Sequence, residues 1–196
     1  MGLKLNLGCG GVVVDGWVNV DYSLGAKFKK IPVVRRLPLF RFHWSKGIVI
    51  HDLRKPFPWK DAQMIYSSHF LEHLDAEQGS EFLQHCGQAL APGGIIRIVV
   101  PDLGIIVSDY RSGSIKATDF LQRCNALYRN RRFAAFLEFP HRCMYDAASL
   151  LKAVSNAGFE CVLKKPFESD IEDIRRIEQP HRTERAVIVE GTLRSG

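Results

Sequence analysis

A chain of 196 residues with 46% hydrophobic and 24% charged content is long enough for one well-buried core and short for two. Its net charge of +6 is local: Lys27, Lys29, Lys30, Arg35, Arg36, Arg41 and Lys46 fall in one stretch without an acid, and the other 20 basic residues meet 21 acidic ones, which argues against a globally basic, nucleic-acid-coating surface. No apolar run reaches membrane-spanning length and the first strand pattern begins close to Met1, so a cytoplasmic protein without a cleaved signal is expected.

The first strand is read over residues 3–8, where Leu3, Leu5 and Leu7 alternate with Lys4 and Asn6. It runs directly into Gly8, Cys9, Gly10 and Gly11. Glycine permits a sharp turn and close backbone approach, and successive amide N–H groups can line a ligand. A second strand, residues 17–21, closes on Asp21, a carboxylate that can accept hydrogen bonds from two ribose hydroxyls. The pair reads as a nucleotide-type cofactor pocket, against the blander readings of a tight turn and a loop-capping acid. The dinucleotide pattern GxGxxG wants a third glycine where Val13 stands and an acid about 20 residues on, whereas Asp21 comes 13 after Gly8. A nicotinamide enzyme is therefore disfavoured. The connection between these strands is also shorter than a helical crossover needs, so the first helix is expected to be one turn or absent.

Residues 26–46 form an insert that is apolar as well as basic, with Phe28, Ile31, Phe40, Phe42 and Trp44 among its cations. Pro32 and Pro38 exclude one long helix. A lid, an interfacial face and a surface excursion packed on the domain stay open; an anionic or lipid-linked substrate, a membrane surface and RNA are its candidate partners. Arg123, Arg129, Arg131 and Arg132 make a second basic cluster.

The third strand pattern, GIVIHDL, ends near Asp52, which can also be a simple turn former before the PFP segment. A fourth strand is read over 64–67, and a helix over 76–90 with Phe82, Leu83, Cys86 and Leu90 on one face and APGG as its stop. A fifth strand spans 95–100. Helices follow over 103–110, 118–128 and from an Asp146 cap to Asn156, and two last strands over 159–164 and 185–192. The fold expected is α/β: one domain over 1–196, a doubly wound, mostly parallel seven-stranded sheet with a C-terminal antiparallel hairpin. His69, Glu72 and His73 do not follow the HExxH order, so no metal site is expected. His69 is read as lining the site, and His141 and Tyr145 as reaching over it or serving the structure alone. The five cysteines are scattered without a CxxC pair, and reduced thiols are expected; Cys9 is read as a packing residue, not a nucleophile.

Taken in register, LNLGCGG, GWVNVD, HDLRKPFP, IYSSHFLEHL, LAPGGIIRIVVPDL and HRCMYDAASLLKAVSNAGF resemble the class I S-adenosylmethionine-dependent methyltransferases, most closely the small bacterial type 11-like predicted methyltransferases, over about residues 3–165. The resemblance implies that Gly8, Cys9 and Gly10 wrap the methionine part of S-adenosyl-L-methionine, that Asp21 holds its ribose, and that Asp52 and Leu53 contact its adenine. It further implies that Ser67, Ser68 and His69 border the sulfonium, with S-adenosyl-L-homocysteine as product. The chain departs from the pattern at Gln63, where an acid is common, and in the insert. The expected reaction is in-line methyl transfer to an oxygen or nitrogen of a small-molecule or glycan-like acceptor, with His69 as base and His141 second. No NPPY-like amide clamp is present, which counts against adenine methylation. An RNA methyltransferase and a non-catalytic cofactor-binding module are the alternatives.

Overall fold

The computed structural model describes residues 2–22, 47–124 and 140–194. The basic insert at 26–46 and Arg129, Arg131 and Arg132 lie outside the described residues, as do the last residues of the helix expected over 118–128.

Seven strands form one sheet in the order β3-β2-β1-β4-β5-β7-β6: β1 (Leu3–Leu7), β2 (Val18–Asp21), β3 (Ile48–Ile50), β4 (Ala62–Ser68), β5 (Leu90–Pro101), β6 (Phe159–Leu163) and β7 (Ala186–Leu193). All described neighbours pair in parallel except β7, which runs antiparallel to both β5 and β6. The expected sheet is thus observed, with its reversed strand wedged between two that point the other way.

The period-2 patterns sort side chains onto two faces. Leu5, Leu7, Ile65, Ile96 and Ile98 point to one face, where they meet α1 (Ala76–Ala89) and α4 (Ala147–Asn156) in the larger core. In α1, Phe82, Leu83, Cys86 and Ala89 supply the buried stripe, and Asp75 caps the helix by accepting from Gln78 N at 3.0 Å. The expected cap of α4 is a full capping box between Asp146 and Ser149. Two further helices, α2 (Leu103–Arg111) and α3 (Ala117–Cys124), follow β5, and Arg123 of α3 pairs with Asp109 of α2 at 2.9 Å.

The opposite face carries Tyr66 and Val99, covered by Val14 and Trp17 and by Ile171, Ile174 and Ile177. The latter belong to the β6–β7 connection, which includes two one-turn helices, α5 (Ile174–Ile177) and α6 (Pro180–Thr183). The β1–β2 crossover, residues 8–17, contains no helix. Two buried asparagines replace it. Asn6 Nδ2 donates to the Val12 carbonyl at 3.0 Å and to Asn19 Oδ1 at 2.9 Å, while Asn19 also accepts from Val14 N and donates to the Val14 and Trp17 carbonyls. Side-chain amides thus satisfy backbone groups that a helix would have paired internally.

The start of the fifth strand differs from expectation by five residues, more than the one or two of the other strand ends. β5 begins at Leu90, directly at the end of α1, and runs through the APGG segment. The β4–β5 register slips between Ala62 and Met64, and Gly93 takes φ +73° there. A Cβ at Gly94 would lie 2.8 Å from the Ala62 carbonyl oxygen, so the glycines let the strand bulge instead of stopping it.

Candidate functional site

β1 leads outward to β2 and β3, and its other neighbour β4 leads toward β5. The crevice beyond the C-terminal ends of β1 and β4 is therefore the point where the winding reverses, the usual ligand position in an open α/β sheet. A small cleft opens there, lined by Asn6, Gly8, Cys9, Val12, Tyr66, Ser68, Ile177 and Arg182. The glycine loop and the end of β4 both line this cleft.

Gly8 and Gly10 adopt φ +68° and +55°. At Gly8 a second constraint applies: an added Cβ would come within 2.6 Å of the Phe70 side chain, so the loop closes against the segment after β4. Cys9 N donates to the Val20 carbonyl at 3.0 Å and Gly10 N to Asp21 Oδ2 at 2.8 Å. Both amides are committed within the protein, so the loop offers shape and one fixed carboxylate in place of an open ring of donors. Burial, reinforced by the Asp21 charge, pushes the Cys9 thiol up to about 12, which leaves it a packing group.

Asp52 is held below its ordinary value by Arg54, whose Nε and Nη2 donate to it at 2.8 and 2.7 Å. Arg54 N also donates to Asp52 Oδ1 at 3.2 Å, the local turn that its place before PFP suggested. Leu53 is buried in the larger core, outside the cleft lining. Ser67 and Ser68 are both buried at the end of β4; strand alternation puts Ser68 in the cleft and Ser67 on the other face. Tyr66 lies on the cleft wall, and burial pushes its phenol up to about 12, so it stays a neutral wall.

With this geometry in place, comparison with known proteins decides the family. Residues 12–164 match the family model described as a methyltransferase domain. The chain belongs to that family. Comparison with curated protein sequences gives no significant match. Among solved structures, a possible exported protein from Bordetella parapertussis is 14% identical with TM-score 0.55, covering 99% of this chain and 62% of that one. The apo S-adenosylmethionine-dependent methyltransferase SibL is 16% identical with TM-score 0.55, covering 99% and 51%. The complex of DhpI with S-adenosylhomocysteine is 13% identical with TM-score 0.55, covering 98% and 76%. The chain therefore spans about half to two thirds of the first two, and at these identities the likeness is one of fold.

In this methyltransferase domain the base candidates sit together beyond β4. His69 has φ +55°, a left-handed conformation unusual for a side chain with a Cβ, held by its N–H on the Val99 carbonyl at 2.9 Å. Its ring is gripped on both sides: Nε2 donates to the Arg182 carbonyl at 2.8 Å and Nδ1 lies 3.2 Å from Glu72 Oε1. His141 packs edge-on against His73, with ring centroids 5.1 Å apart, and burial holds its imidazole below the ordinary value. Tyr145 belongs to the larger core, where burial and the neighbouring Cys143 push its phenol up. Its backbone fixes the start of α2, its carbonyl accepting from Leu103 N at 2.8 Å.

Two functional features escaped the sequence reading. Arg182 donates to the Ser68 carbonyl at 3.0 Å and brings a guanidinium to the cleft from a segment without periodicity. Arg97 is completely buried and spends all five N–H donors: on Glu178 at 3.0 and 3.2 Å, Glu190 at 2.9 Å, and the Glu168 and Lys165 carbonyls at 2.8 and 3.1 Å. This network clamps the β6–β7 connection onto the sheet and so positions Ile177 and Arg182. A lone arginine inside IIRIVV was the available signal.

Proposed function

We propose that the chain binds S-adenosyl-L-methionine in the β1–β4 cleft and transfers its methyl group to an oxygen or nitrogen of a small-molecule or glycan-like acceptor. Family membership supports methyl transfer, and the DhpI neighbour of the same fold is complexed with S-adenosylhomocysteine. The observation that carries the reading is the carboxylate of Asp21, anchored at 2.8 Å to the left-handed Gly10 of a loop that lines the switch-point cleft. The residues fit the cofactor: Gly8 and Cys9 give close backbone approach, Asp21 accepts from ribose hydroxyls, and Arg182 offers a cationic partner for an amino-acid carboxylate.

When bound, this cofactor supplies a sulfonium-activated methyl group. The chain's task is then to align the acceptor and to shield it from water. Tyr66 and Ile177 give apolar walls, and Phe70 closes the loop side against Gly8. For a hydroxyl acceptor, the base in this reading is His69, which follows the cleft-lining Ser68; to take a proton its ring must leave the Arg182 carbonyl and shift its own proton from Nε2 to Nδ1, beside Glu72 Oε1.

Calorimetric titration with S-adenosylhomocysteine tests the cofactor assignment. Removing a charged acceptor costs about 1.5–3 kcal/mol, so Asp21→Ala is expected to weaken binding about tenfold to a hundredfold. Absence of binding by the native chain, or equal binding by Asp21→Ala, counts against it. Labelled cofactor with fractionated extract then identifies the acceptor.

A further inference from the structure

Beyond the end of β4, several polar groups lack the partners that their burial demands. Glu72 is 0% exposed, and among the described residues neither of its carboxylate oxygens accepts a hydrogen bond. An ionised carboxylate in that state needs a cation or a proton beside it. The His69 ring does not answer the need in its neutral form. Its Nε2 must be the donor to the Arg182 carbonyl, so Nδ1, at 3.2 Å from Glu72 Oε1, faces the carboxylate with a lone pair.

The neighbouring imidazoles are arranged the same way. His73 Nδ1 donates to the Pro140 carbonyl at 3.3 Å, leaving Nε2 as its lone-pair nitrogen. Such a bond from one ring nitrogen to a backbone carbonyl is how metal-bound histidines are oriented. His141 Nδ1 is buried and has no hydrogen-bond partner among the described residues. The chain brings His141 here by main-chain bonds: Arg142 N and Cys143 N both donate to the Glu72 carbonyl, at 2.8 and 3.1 Å. One ligand atom from each of Glu72, His73 and His141 lies within 4.8 Å of the others.

We propose that Glu72, His73 and His141 form a binding site for a divalent transition-metal ion of the zinc class, with His69 bracing the carboxylate from outside the triangle. Two imidazoles and one carboxylate select Zn²⁺ or Co²⁺ over Mg²⁺ and Ca²⁺, and three protein ligands leave a coordination position open. Donors around a tetrahedral ion with bonds of about 2.0–2.1 Å stand about 3.3 Å apart, so the ion draws the two histidine side chains inward. The site is independent of the cofactor assignment. The order HFLEH hides it from a motif search, because the third ligand, His141, is distant in sequence and only folding supplies it.

The test uses the chelator-treated full chain titrated with Co²⁺ and then Zn²⁺. One equivalent of Co²⁺ is expected to bind with ligand-field absorption and no thiolate charge-transfer band, and Zn²⁺ to displace it. His73→Ala and His141→Ala are each expected to weaken binding by more than about tenfold, and Cys143→Ser to leave it unchanged. If an alanine variant melts early, Glu72→Gln, which keeps the buried volume, reads the same loss. No stoichiometric binding by the native chain, a thiolate band, or full binding by Glu72→Gln overturns the proposal. Titration of the same samples with S-adenosylhomocysteine reports the cofactor site separately.

Discussion

Two buried carboxylate clusters in this domain meet the same electrostatic demand in different ways. Beneath the β6–β7 connection, Glu178 and Glu190 surround Arg97, and their remaining lone pairs accept from Phe167 N, Ser169 Oγ and Asp170 N. Lys164 Nζ, 3.9 Å from Glu190, brings the local charge close to balance. Beyond β4, Glu72 is equally buried, yet among the described residues its oxygens accept no hydrogen bond, and three imidazoles stand near it. The closed cluster has nothing left to bind and acts as a clamp. The open one retains the chemistry that a ligand can use. Completeness of hydrogen bonding, more than burial or charge, separates scaffold from site here.

The largest effect is expected on the closed side. Arg97→Met strands two buried carboxylates and is expected to cost about 3–5 kcal/mol in urea unfolding, with the β6–β7 connection released from the sheet. Asn19→Ala comes next: it removes four bonds, three to the backbone of the crossover and one to Asn6, and is expected to cost about 1–3 kcal/mol, with weaker S-adenosylhomocysteine binding as the glycine loop loosens. Glu72→Gln is the contrasting case. In metal-free protein it removes a carboxylate that accepts no hydrogen bond, so its stability change is expected to stay within about 1 kcal/mol. A loss as large as that of Arg97→Met would make the two clusters alike and erase the distinction.

The smallest effect is a pH dependence at Asp173, between the clamp and the crossover. Burial works against its charge, but hydrogen bonds from Lys4 and Trp17 outweigh it and hold the carboxyl below its ordinary value. A depressed folded-state value means stabilisation is full above the unfolded value near 3.9 and is lost as pH falls through the folded one. Thermal melts between about pH 5 and 2 are expected to show a smaller acid-induced loss in Asp173→Asn than in the native chain.

The strands were legible because alternation and β-branched runs are local, and so was the Asp146 cap. That the glycine loop and Asp21 lie together was legible because it depends only on two neighbouring strands. The 164–183 connection was not: its helices are one turn long and its residues are fixed by Arg97, a partner far away in sequence. Leu53 and Tyr145 show the opposite limit, since both stand beside the site in sequence while the core takes their side chains. The Glu72 cluster was half visible; its histidine spacing could be read, but the arrival of His141 depends on two backbone bonds to the Glu72 carbonyl.

The reversed strand carries a consequence for assembly on the ribosome. β6 has no described strand partner other than β7, and β7 also fills the edge of β5. Until residues 186–193 emerge, β6 has nowhere to dock and the guanidinium of Arg97 lacks Glu190. The parallel half of the sheet can collapse early, but its far edge stays open to wrong pairings until that strand slides in. Closure of the sheet and completion of the hydrogen bonds around Arg97 are then expected together, as a late step.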